Sequence, residues 1–369
     1  MRTQVGIVGA GPAGLVLGLL LERAGIDSVI VEARDRAYVE QRVRAGVLEQ
    51  NTVDLLHDLG AGERLAREGL EHRGINLRAR GETQYLDMTE LTGRAITVYG
   101  QQEVVKDLIA ARGGELRFET PVAAVDPRAG RIELADGDTI DCDVIAGCDG
   151  YHGVCRDAIP DRTEVDFTYS FGWLGILAHA KPATDELIYA WHEHGFALYS
   201  MRSPEVSRLY LQVPADADVE AWPEDRIWDE LETRLGTVNR GEVFDIGITP
   251  MRSFVCSTMQ HERLFLCGDA AHIVPPTGAK GLNLAVNDAR LLAAALQDAS
   301  TERYTERALR RVWRAQDFSN YMTQLLHDLG GGPFERGLQL SRLEYLRRSE
   351  AARRSLAENY VGLPASDDF

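Results

Sequence analysis

Gly9-Ala10-Gly11-Pro12-Ala13-Gly14 stands between the apolar run Gln4-Val5-Gly6-Ile7-Val8 and a stretch in which Leu15, Leu19 and Glu22-Arg23 are spaced as on a helix. Glycines at this spacing let backbone approach a pyrophosphate, and a helix N-terminus adds bare N–H groups and the positive end of a dipole. Glu32 closes the next apolar strand, Ser28-Val29-Ile30-Val31, where a carboxylate can accept ribose hydroxyl hydrogen bonds. Together they predict a dinucleotide site on Gly9, Gly11, Gly14 and Glu32, without choosing FAD over NAD. Gly147-Cys148-Asp149-Gly150 before Arg156, and Cys267-Gly268-Asp269-Ala270-Ala271-His272 before Pro275-Pro276, are further candidates. Each alone reads equally as an Asp-Gly turn or a helix-capping aspartate. Arg202 carries a planar fork that matches both oxygens of a carboxylate, with Ser200 and Tyr210 as neighbouring donors. A solvated loop arginine fits the same sequence. Tyr189 and Tyr360 stand more than 150 positions apart, so spacing does not pair them, and most tyrosines are amphipathic core residues; His72 alone reads as a surface histidine.

The elements that must position these groups follow from periodicity. Strand, glycine turn, helix and strand over the first thirty or so residues make a Rossmann-type unit. Tyr38 to Arg67 reads as helical with a break at Arg42-Val43-Arg44-Ala45-Gly46, Ile75 to Val98 as a strand meander, and Gln101 to Ala111 as a helix. Short strands are expected at Arg117-Phe118, Ile132 to Leu134, Val144 to Ala146 and Leu264 to Leu266. Phe171 to Val213 alternates through Trp173, Leu174, Ile188, Ala197 and Tyr210, which predicts a mixed sheet forming a second lobe. A long helix follows Gly281, and the remainder is helical with a break at Gly330-Gly331-Gly332-Pro333.

Composition narrows the function. Lys+Arg 40 against Asp+Glu 57 gives a net charge of −17, with no basic surplus to displace counterions from nucleic acid. No run of about 18 apolar residues exists, so no membrane span is expected. Met1-Arg2-Thr3 leads directly into an apolar strand, so no secretory signal is expected either. The 5 cysteines lack a CxxC pair and read as reduced thiols of a cytoplasmic protein, with no metal site.

In order after a Rossmann start, the Asp149-Gly150 and Gly268-Asp269 motifs resemble the group A aromatic-hydroxylase FAD monooxygenases. Arg42 to Gln50, Glu186 to Ala190, Gly195 to Leu198, Pro275 to Asn283 and Glu358 to Pro364 sharpen this to a resemblance to the para-hydroxybenzoate hydroxylase family, essentially end to end and weakest over Arg112 to Asp141. The resemblance implies an α/β fold: a Rossmann-like FAD-binding domain (1–72, 99–160, 263–297) interleaved with a mixed-sheet substrate domain (73–98, 161–262), and a helical C-terminal region (298–369). It implies hydroxylation of 4-hydroxybenzoate to 3,4-dihydroxybenzoate with dioxygen, through a flavin C4a-hydroperoxide, with NADH or NADPH as electron donor. A homodimer is also implied.

The same resemblance assigns roles. Gly9, Gly11, Gly14, Glu32, Arg42, Arg44, Ala45, Gly46, Val47, Gln101, Asp269, Leu282 and Asn283 would hold FAD, the last two through a backbone N–H and a side-chain amide at the pyrimidine ring. Ser200, Arg202 and Tyr210 would clamp the substrate carboxylate, with Thr277 also lining the pocket. Arg208 matches an arginine that helps the flavin move. Tyr189 and Tyr360 would meet the substrate hydroxyl, His72 would end the proton relay, and the Pro276 carbonyl would face that hydroxyl. Arg34, Tyr38, Arg42, His152, Arg156 and Arg252 would meet the nicotinamide donor. Two departures, Trp191 and Tyr199, stand near the pocket sheet. A third, Ala33, stands where NADPH-preferring relatives carry an arginine after the ribose-binding glutamate, with Asp35 and Glu40 adding like charge; this leans the reading toward NADH. The same chemistry on 4-aminobenzoate or a dihydroxybenzoate, and a flavin-binding sensor without catalysis, are the alternatives. A flavin halogenase is disfavoured because WxWxIP is absent.

Overall fold

The computed structural model describes residues 1–42, 46–236 and 238–364. Its first lobe is built on a sheet ordered Gln260–His261, Leu264–Leu266, Thr139–Gly147, Arg2–Val8, Ser28–Val31, Glu115–Arg117. From Leu264–Leu266 to Glu115–Arg117 the pairs are parallel. Parallel strands bury both faces, which is why Val5, Ile7, Val29, Ile30 and Val31 form short continuous apolar runs. Helix Pro12–Arg23 follows the first strand, with Pro12 at the first helical position, where its missing N–H removes no bond. Leu15, Val16, Leu17, Leu19 and Leu21 are all buried, so this helix is apolar nearly all round and lies inside the lobe. It packs against Gly281–Gln297, more than 250 residues on by its numbering.

The second lobe is a mixed sheet ordered His272–Ile273, Glu242–Cys256, Glu164–His179, Val206–Pro214, Ala197–Ser203, Ile188–Trp191, Gly74–Ala79, Glu82–Asp87. Only Ile188–Trp191 against Gly74–Ala79 is parallel in it. Alternation sorts its side chains. Trp173, Tyr189, Leu198 and Tyr210 enter one core with Phe318, Met322 and Tyr360. Leu174, Ile188, Tyr199 and Leu209 enter another, covered by Ile227, Trp228 and Leu231 of helix Glu224–Leu235.

Three expectations change. Ile75 to Val98 is not one meander: after two strands comes a short helix, Met88–Thr92, capped by the Asp87 side chain, and Ile96–Val98 joins a separate three-stranded sheet with Val47–Glu49 and Leu70–His72. Tyr38 to Arg67 contains that Val47–Glu49 strand besides its helices. The 15-residue strand Glu242–Cys256 is absent from the sequence reading because most of its residues up to Pro250 stay exposed or half-buried, leaving little apolar contrast. The break before Pro333 stands, since helix Gly332–Arg348 begins there.

Candidate active site

The dinucleotide end is made of backbone. Gly9 has φ +105°, and a Cβ there would lie 2.4 Å from the Cys148 carbonyl oxygen. A Cβ on Gly14 would lie 2.1 Å from the Gly9 carbonyl oxygen. Gly11 differs: nothing lies within 4 Å of the position its Cβ would take, so it faces open space beside a helix N-terminus that no side chain caps. Glu32 is fixed beside this turn by accepting from the N–H groups of Ala10 and Arg34, both at 2.9 Å. Asp269 projects outward from a tight turn. Behind it Asp288, fully buried, accepts from the Gly268 N–H at 2.9 Å and meets His272 Nε2 at 2.6 Å. Burial alone would depress the His272 pKa; the charge and hydrogen bond of Asp288 outweigh it, and the imidazole ends above its usual value. Asp149 is raised by burial, eased by hydrogen bonds including one from the Cys155 N–H at 2.9 Å, and its Oδ1 is buried without a partner. The open cradle at Gly11, the exposed Asp269 and this orphaned oxygen fit an extended dinucleotide such as FAD.

Arg44 and Ala45 lie outside the described residues. Gly46 is buried, and a Cβ there would strike the Tyr99 carbonyl oxygen at 1.9 Å. Val47 lies on the short strand, Gln101 opens its helix after Gly100, and Arg42 is exposed. Asn283 requires a correction. Its Oδ1 accepts from the Glu49 N–H (2.9 Å) and Thr52 Oγ1 (2.8 Å), and its Nδ2 donates to the carbonyls of Val47 and Ala279 (3.0 Å each). The amide is saturated and staples the Val47–Glu49 strand to the helix. What this helix start offers a ring is the first-turn backbone N–H of Leu282 and Asn283.

The sequence reading gave Lys280 no role. It is buried, its Nζ donates to Glu49 Oε1 at 2.6 Å and to the Tyr360 carbonyl at 2.9 Å, and burial lowers its pKa against the pull of Glu49. A lysine between apolar neighbours in Ala279-Lys280-Gly281-Leu282 was the available signal.

At the second end the structure joins distant residues. Tyr189 Oη and Tyr360 Oη are 2.5 Å apart in an apolar cluster. Burial raises both pKa values; the hydrogen bond from Tyr360 partly relieves Tyr189, while Tyr189 raises Tyr360 further. His72 is buried, and its Nδ1 lies 2.8 Å from Glu186 Oε2, out of line for a hydrogen bond. No hydrogen bond among the described residues joins His72 to Tyr360; His72 instead pairs across its strand with Ile96 of the same apolar cluster. Glu186 was missed as a site residue. It holds Tyr85 Oη and the Arg73 N–H, both at 3.2 Å, and leads from His72 to solvent.

Arg202 donates to Gln102 Oε1 and packs so closely on Gly100 that a Cβ there would lie 2.7 Å from its Nη2. Burial lowers the Arg202 pKa, and the neighbouring Arg208 lowers it further. Arg208 lies 5.3 Å from the Tyr210 ring centre and has a buried Nη1 without a hydrogen-bond partner. Burial raises the Tyr210 pKa, with Arg208 opposing. Two half-buried guanidinium groups in one corner suit an anionic ligand. Ser200 Oγ donates to the Arg208 carbonyl at 2.8 Å. Thr277 is buried and accepts from Thr323 Oγ1 at 3.0 Å, while the Pro276 carbonyl closes its turn by accepting from the Ala279 N–H at 2.9 Å. Of the two departures, Tyr199 belongs to the cluster behind the sheet, where its hydroxyl meets the Ala183 N–H and Ser207. Trp191 shares a cluster with Tyr189, and its Nε1 donates to Gln339 at 2.8 Å.

On the donor side, Asp35 is a helix cap, accepting from the Tyr38 N–H at 2.7 Å. Arg36 pairs with Glu40 at 2.6 Å, and the Arg34 guanidinium stands 5.2 Å from the Tyr38 ring centre. Arg156 is buried, donating to the carbonyls of Ala270 (3.1 Å) and Tyr151 (2.7 Å) and facing Glu164, so its groups are committed to the fold. Arg252 pairs with Asp166 and lies 4.2 Å from the Tyr151 ring centre; His152 is exposed, edge-on to the same ring. Tyr151, which the sequence reading did not single out, thus organises this corner. All five cysteines are buried and free, and no helix among the described residues is long and apolar enough to cross a membrane.

The family described as FAD binding domain matches residues 2–319. The chain is 47% identical over 388 aligned residues to p-hydroxybenzoate hydroxylase of Acinetobacter baylyi, covering 99% of this chain and 96% of that protein. Among solved structures it resembles p-nitrophenol 4-monooxygenase from Pseudomonas putida (TM-score 0.83, 18% identity, 99% of this chain and 100% of that one). It also resembles the Diels-Alderase PyrE3 (TM-score 0.81, 22% identity, 99% and 81%). At these identities the structures speak for the fold alone.

Proposed function

The chain belongs to the FAD-binding monooxygenase family that includes p-hydroxybenzoate hydroxylase, and from that premise we propose that it hydroxylates 4-hydroxybenzoate at carbon 3, releasing 3,4-dihydroxybenzoate. The observation that carries this reading is the contact between Tyr189 and Tyr360 on the same apolar face as Tyr210, with the arginine corner beside it. FAD, when bound, accepts reducing equivalents from a nicotinamide and activates dioxygen. Arg202 binds the substrate carboxylate, with Tyr210 and Ser200 supplying hydroxyls; the Ser200 hydroxyl turns from the Arg208 carbonyl to do so. This fixes the ring with its own hydroxyl toward Tyr189. Burial keeps both tyrosines neutral, so Tyr189 can accept the substrate proton while passing its own to Tyr360. His72 and Glu186 form the outlet to solvent. The second lone pair of the Pro276 carbonyl faces the substrate hydroxyl and sets which ring carbon meets the flavin. The apolar cluster excludes water from the reacting centre.

The electron donor is read as NADH, accepted at least as well as NADPH. Ala33 offers no fork for a 2′-phosphate, and Arg36 is held by Glu40. A homodimer is supported by the helix Gly332–Arg348, where Phe334 (78% exposed), Leu338 (43%) and Tyr345 (63%) line one face at helical spacing. The five free thiols and a nicotinamide supply suit the cytoplasm. The reading is tested by following nicotinamide oxidation over a panel of benzoates with product analysis. Stoichiometric 3,4-dihydroxybenzoate from 4-hydroxybenzoate is expected. Preferred hydroxylation of 4-aminobenzoate or a dihydroxybenzoate, or peroxide alone from every acid, would overturn it.

A further inference from the structure

A cavity of about 370 Å³ lies between helices Gln50–Asp58, Gly281–Gln297 and Tyr304–Leu326 and the turn at Gly362-Leu363, and shares Asn283 with the helix start placed at the flavin ring. Its size falls within the roughly 300–1,000 Å³ of small-molecule sites. None of Tyr189, Ser200, Arg202, Tyr210 or Thr277 lines it. Leu55, Leu284, Ala315, Phe318 and Leu363 make an apolar wall, and the inner end is the Glu49–Lys280 pair. Two polar features are unfinished. Arg311, half-buried in this wall, gives hydrogen bonds to the carbonyls of Leu363 (3.4 Å) and Pro364 (2.8 Å). Carbonyls satisfy donors without compensating charge, and the carboxylate whose charge acts on Arg311, Glu49, is itself bound by Lys280. Asn287, also in the wall, has a buried Nδ2 with no hydrogen-bond partner among the described residues.

A cation that shares its only acting carboxylate with Lys280, among the described residues, and a donor lacking an acceptor, set in an apolar cavity, ask for a ligand with an apolar body and one anionic, acceptor-rich head. Glu49 is already balanced by Lys280, and of the other arginines on the wall Arg310 pairs with Glu306 and Arg314 with Asp317, so the charge left to answer is that of Arg311, one negative group in the ligand. We propose that this cavity is a second site, for an aromatic monocarboxylate, with the carboxylate between Arg311 and Asn287 and the ring against Phe318. Occupancy there reaches the first site through Phe318, edge-on to the Tyr360 ring at 6.2 Å between centres, and through Lys280. The cavity's inner wall includes Lys280, whose ammonium also holds the Tyr360 carbonyl.

The test is calorimetric titration of 1-naphthoate into FAD-loaded protein saturated with 4-hydroxybenzoate. One further equivalent is expected to bind. Arg311→Gln and, independently, Asn287→Leu should each weaken it, the first at least tenfold, and Ala315→Trp should fill the cavity and abolish it. The titration is repeated in Arg202→Ala, so that failure of the proposed substrate does not blur the result. Binding that persists there supports the second site; binding lost there places the probe in the substrate pocket and overturns it. No binding to the saturated enzyme and to Arg202→Ala alike, equal affinity in Arg311→Gln and Asn287→Leu, or binding that appears only after residues 365–369 are removed, would each overturn it too.

Discussion

The two ends of the site are built on opposite plans. At the dinucleotide end the glycine turn and its carboxylate lie within the first 32 residues of the numbering, and the Ala10–Glu32 bond spans 22 positions. Its working groups are mostly main-chain amides. At the aromatic-acid end the contacts run between remote segments: 171 positions between Tyr189 and Tyr360, 100 between Arg202 and Gln102. Its working groups are side chains. The first plan is most sensitive where a Cβ would block backbone; the second depends on each side chain.

The strongest way to break this contrast is at Gly14. Gly14→Ala places a methyl against the Gly9 carbonyl, at a cost on the order of 1–3 kcal/mol or more from overpacking, and the purified protein should be colourless. Gly11→Ala, with open space around it, should melt normally and retain FAD poorly. Equal melting temperatures in the two variants would erase the distinction drawn between these glycines.

Next comes a place where the dinucleotide end relies on a buried side chain. Asp288→Asn removes half of a buried ion pair, a loss of roughly 3–5 kcal/mol, seen in chemical denaturation. The pH dependence has a definite sign. The His272 pKa is raised in the fold, so its stabilisation is full below the unfolded value near 6.5 and fades as pH rises through the folded value. The melting difference between wild type and His272→Gln should therefore shrink toward alkaline pH; a difference that grows would reverse the assignment.

At the other end, Arg202→Ala should weaken 4-hydroxybenzoate binding by about 2–5 kcal/mol while flavin content holds, as measured by spectral titration. Unchanged affinity would make Arg202 a structural arginine. Tyr189→Phe and Tyr360→Phe should lower hydroxylation by roughly 10²-fold, the low end of general acid–base contributions, and divert reducing power to peroxide. Phenolate absorbance of bound substrate against pH decides: identical curves in both variants would remove the relay.

The smallest effect sharpens the donor corner. NADH and NADPH should differ less than about tenfold in kcat/KM, roughly 1.4 kcal/mol, or favour NADH. A strong NADPH preference would mean that Arg34 leaves the Tyr38 ring to grip the 2′-phosphate.

The same contrast explains what the sequence made legible. The glycine turn, Glu32 and their strand and helix are consecutive, so periodicity and glycine spacing reveal them together. Nothing local announces that Glu49 will meet Lys280, 231 positions away, or that Glu186 will face His72. The first pairing arises where the three-stranded sheet meets the start of helix Gly281–Gln297, the second where that sheet is laid beside the second lobe. Asn283 failed for a related reason. Its place at a helix start was correctly read, but four nearby backbone and hydroxyl partners compete for its amide, and they win. The Glu242–Cys256 strand was hidden because its exposed alternation lacks an apolar face.

The floor beneath the two tyrosines has a consequence of its own. His327 stacks on Phe196 and Trp173, accepts from Trp173 Nε1 at 2.7 Å through Nε2, and faces the Thr323 carbonyl through Nδ1 at 3.0 Å. Burial pushes its pKa down to about 3. An imidazole so placed behaves as an electrical insulator, a third flat ring in a stack whose charge stays at zero from mild acid to strong base. Acidity changes in the medium therefore add no charge through this stack to the apolar cluster around Tyr189.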